Sequence, residues 1–211
     1  MGIENLKNNT YGLLSVVGPV ETLLPMSLEE FTQFCETYPH IIAERESSGK
    51  VIIATPVKSA SGENEGHVSG YLYAWNLTNG KPGKVYSPST GFLLAGEQIR
   101  CGDAVWVSNE RLKDFLGKPD HQSKWVTAVP NFVAEIRSGS DRLVNLKDKM
   151  ENVWMANGVS LAWLIDVIEE VVYIYRPNQA EPEVVRNFDG SILQGEDVLQ
   201  GFQFPLVELN L

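Results

Sequence analysis

The run Phe132-Val-Ala-Glu-Ile-Arg-Ser138 constrains this chain more than any other feature. It follows Pro130, its β-branched, aromatic and small residues suit a strand, and it is apolar enough to be central in a sheet. Glu135 stands inside it. Side chains alternate along a strand, so Glu135 shares a face with Val133 and Arg137. A buried carboxylate is costly unless it is paired or bound to a metal. The fold must therefore give Glu135 a cation, and the nearest structural answer is an ion pair with Arg137 at a sheet end.

The rest of the pattern supplies that sheet. With 43% hydrophobic and 21% charged residues over 211, the composition is that of a globular protein. Disorder, collagen and coiled coil are excluded as the main state. Residues 1–25 read as an irregular lead-in, broken by Gly12, Gly18, Pro19 and Pro25, and residues 26–211 as a single domain. Ser27 with Glu30 makes a capping box that opens a helix to about Thr37, with Leu28, Phe31, Phe34 and Cys35 on one face. A hairpin follows, His40–Glu44 and Lys50–Thr55 across Glu46-Ser-Ser-Gly49. Residues 62–79 suit a second helix, since Val68, Tyr71, Leu72 and Trp75 recur at three- and four-residue spacing before Asn79-Gly80.

Short strands around 85–86, 91–94 and 104–107 precede the central strand, which spans 131–136. Leu143 to Asn157 is the clearest helix, with Leu143, Leu146, Met150, Val153 and Trp154 as its apolar face. Two strands, Ser160–Ile165 and Val171–Arg176, flank Asp166, and short β-pieces run from Pro182 onward. This order predicts an α/β (α+β) fold: a mixed central sheet flanked by helices, with an extra N-terminal hairpin and C-terminal β-pieces.

Many chemistries are excluded by what is missing. Cys35 and Cys101 cannot form a disulfide framework or, without a Cys/His cluster, a zinc site. His40, His67 and His121 lack ligand spacing, and no phosphate loop, dinucleotide fingerprint, His-Glu-x-x-His or Gly-x-Ser-x-Gly occurs. The longest apolar stretch, Val159 to Ile168, carries Asp166 and is too short to span a bilayer, and no secretory signal is visible. A reducing cytoplasm, away from membranes, is the expected location. A net charge of −10 argues against coating nucleic acid by charge alone, but not against reaching phosphate through a divalent metal.

A set of carboxylates on or beside apolar strands remains. Besides Glu135, Asp103 stands at the mouth of Ala104-Val-Trp-Val107, where a turn residue after Gly102 is the bland alternative. Glu44 ends the first hairpin strand, a place where solvated acids are common. Lys147 and Lys149 flank the apolar face of the following helix, and either could reach over the sheet to Glu135 or snorkel at the surface. Two carboxylates from neighbouring strands make a hard oxygen site for Mg²⁺, and a nearby lysine completes the minimum for metal-dependent phosphodiester hydrolysis.

The ordered series Ala43-Glu-Arg-Glu-Ser-Ser-Gly-Lys-Val-Ile-Ile-Ala-Thr-Pro56, Ser89-Thr-Gly-Phe92, Asp103-Ala-Val-Trp-Val-Ser108, Pro130–Ser138, Leu146-Lys-Asp-Lys-Met150 and Asn157-Gly-Val159 adds more. Trp163-Leu-Ile-Asp166, Val172-Tyr-Ile-Tyr-Arg-Pro177 and Gly201-Phe202 continue it. From Ser27 to Leu209 the chain resembles the Uma-two family of bacterial restriction-endonuclease-like proteins, which are assigned the PD-(D/E)xK fold. By position in that pattern, the resemblance makes Asp103 and Glu135 the metal-binding acids, Lys149 the lysine carried on the helix, and Glu44 the upstream acid. Arg137 stands where a simple Glu-x-Lys would have its lysine.

Two places depart from the pattern. Cys101-Gly102 replaces the usual Pro before Asp103, which is expected to loosen the turn that aims it, and Asn131 replaces the Asp after Pro130. Cys101 reads as an inert thiol or a modest redox handle. The resemblance implies a Mg²⁺- (or Mn²⁺-) dependent endonuclease acting on DNA as a homodimer. RNA is equally open to chemistry that meets only the phosphate. The rival expectation is a catalytically inactive nuclease-fold scaffold or binding protein, favoured by the −10 charge and by a basic cluster of only Arg137, Arg142, Lys147 and Lys149.

Overall fold

The structure is a computed structural model that describes residues 13–14 and 20–209. Most of the lead-in expected over 1–25 lies outside the described residues. The chain runs through β1 (Leu13–Leu14), β2 (Val20–Thr22), α1 (Leu28–Thr37), β3 (Ile42–Arg45) and β4 (Val51–Ala54). Next come α2 (Ser59–Thr78), β5 (Gly83–Tyr86), β6 (Phe92–Leu94), β7 (Gln98–Arg100), β8 (Ala104–Ser108) and α3 (Asn109–Leu116). β9 (Phe132–Arg137) leads to α4 (Leu143–Asp148), which continues as a π-helical segment over Lys149–Met155. β10 (Leu161–Asp166), β11 (Val171–Tyr175), β12 (Glu183–Arg186), β13 (Ile192–Gln194) and β14 (Gln203–Pro205) complete it.

Two compact units result. The first comprises the chain through Pro56 together with Gly91–Cys101, and the second Val57–Thr90 with Gly102–Leu211. The first unit holds an antiparallel sheet in the order β1-β2-β4-β3-β7-β6, with the expected hairpin, β3 on β4, inside it. α1 starts as the sequence indicates: Glu30 N–H donates to Ser27 Oγ at 3.2 Å, and Ser27 N–H donates to Glu30 Oε2 at 2.8 Å. Phe31 is the fully buried residue of this helix, while Cys35, expected on the same apolar face, is half-buried. Ser27→Ala removes the side-chain acceptor, and chemical denaturation is expected to read a loss of about 1 kcal/mol.

The second unit carries the mixed sheet, in the order β12-β11-β10-β9-β8-β5. β9 and β10 are parallel, as a helical crossover between them requires, and the other pairs are antiparallel. Phe132, Ala134 and Ile136 of β9 and Leu161, Trp163 and Ile165 of β10 face a core shared with Val68 and Leu72 of α2 and with Phe202 and Phe204. Trp163 stacks on Phe202 with ring centroids 5.8 Å apart. The opposite face of β9, with Val133 and Glu135, receives the helix of residues 143–155.

Three features differ from what periodicity gave. β7 is a three-residue strand too short to show alternation. α3 has only Leu112 and Phe115 buried over eight residues, capped by Ser108 Oγ, which accepts Arg111 N–H at 3.2 Å. The helix after β9 keeps its extent to within two residues but changes winding at Lys149. Among the described residues no helix is long and apolar enough to cross a membrane.

Candidate active site

Strand register brings the site together. β8 and β9 pair antiparallel with Ala104 opposite Ala134 and Val105 opposite Val133. One step further along that register sets Asp103 opposite Glu135. Two carboxylates at facing positions of an antiparallel pair repel, so a sheet tolerates them only with compensation. Asp103 Oδ2 accepts the Ile136 N–H at 2.7 Å, which ties the end of β8 to β9 beside Glu135, and Ser69 Oγ of α2 donates to Asp103 O at 3.2 Å.

Glu135 is buried, with 3% of its surface exposed, and carries the compensation. Lys149 Nζ lies 2.9 Å from Oε1 and 3.1 Å from Oε2. Trp154 Nε1–H donates to Oε1 at 2.7 Å. The helical wheel left Lys147 and Lys149 equivalent, and the structure separates them. Lys149 reaches Glu135, whereas Lys147 sits 3.9 Å over the Tyr173 ring in a cation–π contact. The Arg137 guanidinium goes to the fully buried Asp166, Nη1 to Oδ2 at 2.7 Å, so its partner is Asp166 and the cation over Glu135 is Lys149. Asp166 is further satisfied by the N–H groups of Ile168 and Glu169, at 3.1 and 3.2 Å.

Burial pushes the Asp103 carboxyl well above the usual range, and the neighbouring Glu135 charge pushes it further, while Lys149 and the Ile136 N–H pull it down. Glu65 on α2 belongs to the same field: its carboxyl is raised by burial first and then by Glu135 and Asp141. Sequence reading missed Glu65. Its signal was the stripe 65, 68, 72, 75, in which an acid opens the apolar face of α2.

Glu44, the fourth candidate, lies in the first unit. It accepts the Cys101 N–H at 2.8 Å on Oε1 and pairs with Arg100 Nε at 3.2 Å on Oε2. It thereby holds the chain two residues before Asp103. Cys101 itself is buried.

Both departures from the resembled pattern have local reasons. Gly102 does not loosen its turn, because the space around it is filled. A Cβ there would lie 2.9 Å from Val105 Cγ2 and from Val133 Cγ1, and 3.5 Å from Trp154 Cζ2. Asn131 Oδ1 accepts the Ser108 N–H at 2.9 Å, a bond that an Asp oxygen would make equally.

Asp103 and Glu135 are the oxygen donors that could hold a metal here. Among the described residues no group of three His, Cys, Asp or Glu side chains could close a cage around an ion. Two opposed carboxylates without a third ligand suit Mg²⁺, which keeps several waters and takes one or two carboxylates.

The same chain is matched by a family and by a solved structure. A crystal structure of "a putative nuclease belonging to DUF820 from Anabaena variabilis" superposes with a TM-score of 0.69 at 18% identity, covering 88% of this chain and 97% of the other. That likeness is one of fold. No curated protein matches the chain. The Uma2 family model, described as "Putative restriction endonuclease", matches residues 28–208, which include Asp103, Glu135 and Lys149. With nearly its whole length matched, the chain belongs to the Uma2 family.

Proposed function

We propose that this protein is a divalent-metal-dependent endonuclease that hydrolyses phosphodiester bonds in DNA, with Mg²⁺ or Mn²⁺ held between Asp103 and Glu135. The observation that carries the reading is the buried Glu135 carboxylate on a central strand, paired with Lys149, with the partly buried Asp103 facing it from the end of the neighbouring strand. An arrangement so costly in the absence of a cation is one that a cation stabilises.

When bound, the metal supplies Lewis-acid polarisation of the phosphate and a more acidic water. The chain's own groups do the rest. The Ile136 N–H fixes one Asp103 oxygen, leaving the carboxylate aimed from the strand end. The Lys149 ammonium, held against Glu135, is the group that would stabilise negative charge building on the phosphoryl oxygens. Glu44 acts from outside this group as the upstream acid, anchoring the segment that enters Asp103. Cutting both strands of a duplex calls for two such sites, hence a homodimer, and the two unbridged cysteines suit a reducing cytoplasm.

A second reading, a nuclease-fold scaffold without activity, draws on one observation. Of the four cations expected to form a basic cluster, Arg137, Lys147 and Lys149 are engaged with Asp166, Tyr173 and Glu135. Calorimetric titration of Mn²⁺ into wild type and Asp103→Asn separates the two readings, with nicking of supercoiled DNA read in parallel. The nuclease reading expects binding of about one or two ions, lost in Asp103→Asn together with nicking. Wild-type protein that neither binds Mn²⁺ nor nicks DNA is the scaffold.

A further inference from the structure

Trp154 is fully buried, and its indole N–H bonds a charged group. At 2.7 Å to Glu135 Oε1 the bond is at the short end for N–H···O, as a charge-assisted bond is. Lys149 reaches the same carboxylate from five residues earlier. In an α-helix five residues turn about 140° round the axis, so the two side chains would leave on different sides. Over Lys149–Met155 the winding is π, with Ala156 N–H bonded to Glu151 O five residues back at 3.1 Å. The fifth residue then comes round a little past one full turn, much nearer the same face than in an α-helix. This winding lets one carboxylate receive both groups.

We propose that Trp154 is a positioning residue of the metal site: its indole N–H holds the Glu135 carboxylate in one orientation, and the π turn brings that N–H and the Lys149 ammonium to the same group. The proposal rests on the Asp103–Glu135 metal reading above. The two donors differ in kind. Lys149 compensates the Glu135 charge and so competes with an incoming cation, whereas the neutral indole fixes the carboxylate and leaves its charge intact. A carboxylate already oriented loses less freedom when the ion binds, which is how partners behind a metal ligand raise affinity. Gly102 makes the room, since the indole edge lies 3.5 Å from where its Cβ would stand.

The test uses the full chain labelled with ¹⁵N in its tryptophan side chains. Mn²⁺ is added, and because it is paramagnetic it broadens nearby protons. The indole signal of Trp154, identified by its loss in Trp154→Phe, is expected to broaden before the other tryptophan signals. Calorimetry on Trp154→Phe is expected to show Mn²⁺ affinity lowered about tenfold or more. Trp163→Phe, which removes an equally buried indole from the opposite face of the sheet, is expected to leave affinity unchanged. Wild-type binding with unchanged affinity in Trp154→Phe overturns this proposal alone. Absence of Mn²⁺ binding in wild type overturns the metal reading and this proposal together. Should Trp154→Phe fail to fold, the wild-type spectrum decides: a downfield indole signal that moves in Glu135→Gln and broadens first with Mn²⁺ supports the role, and a signal unmoved by either overturns it.

Discussion

Substituting Lys149 by methionine is expected to lower the proposed phosphodiester cleavage by about a hundredfold or more, because it removes the ammonium that pairs with Glu135. Without metal it also removes about 3–5 kcal/mol of stability, the usual result of taking one partner from a buried ion pair. Glu135 then stays buried opposite Asp103 without the Lys149 ammonium that pairs with it. Mn²⁺ replaces the missing charge, so the variant gains more stability from the ion than wild type does. The pH dependence has a definite sign. The Asp103 carboxyl is raised in the folded protein by burial and by Glu135, and losing Lys149 raises it further. Folding thus favours its protonated form: the stability this contributes is present in acid and is lost as pH rises through the raised folded value. Denaturation curves with chelator are expected to show the deficit of Lys149→Met growing as pH rises above the ordinary carboxylate range, and with Mn²⁺ to show it shrinking. A deficit independent of both pH and metal would place Lys149 outside this charge cluster.

Gly102→Ala is the second large effect, and it arises from one added methyl. The new Cβ meets Val105 Cγ2 and Val133 Cγ1 at 2.9 Å, closer than real Cβ contacts come. Both neighbours are valines, which are stiff at χ1, and both sit on paired strands, so neither yields easily. Overpacking of this kind costs about 1–3 kcal/mol. The strain falls on the residue directly before Asp103, so Mn²⁺ affinity is expected to drop along with the melting temperature. The proline usual at this place in the resembled pattern carries the same Cβ and is expected to do no better here. Unchanged melting and unchanged Mn²⁺ binding in Gly102→Ala would show that the strand end shifts freely, contrary to the packing around it.

Both results turn on features that sequence reading reached only in part. The apolar run around Glu135 announced a buried strand, and the register of β8 on β9 turned a suspicion about Asp103 into a facing pair. Choosing Lys149 over Lys147 came from resemblance. The wheel could not choose, because it assumes 3.6 residues per turn and the helix abandons that winding at Lys149. Trp154 was legible as an apolar-face residue, but its polar edge was not, since a helical stripe says nothing about where an N–H points. Glu65 went unread because one acid at the head of a stripe resembles ordinary solvated acids. The two compact units divide at Pro56–Val57, Thr90–Gly91 and Cys101–Gly102, none of which carries a composition shift. The first sheet joins strands from both sides of α2, a pairing that only long-range contacts create.

The π winding also changes which mutations can retune this site. Over Lys149–Met155 the helix contains one residue more than α geometry would need to set two side chains on the same face. Residues four apart in an α-helix lie within about 40° of each other, so removing a single exposed residue between Lys149 and Trp154 would return the pair to a common face with regular hydrogen bonding. Insertion and deletion, rather than substitution, are therefore the natural way to rotate everything beyond Lys149 against the sheet. A change of length in this helix need not disrupt the fold, and it can act as an adjustment screw for how the indole and the ammonium share one carboxylate.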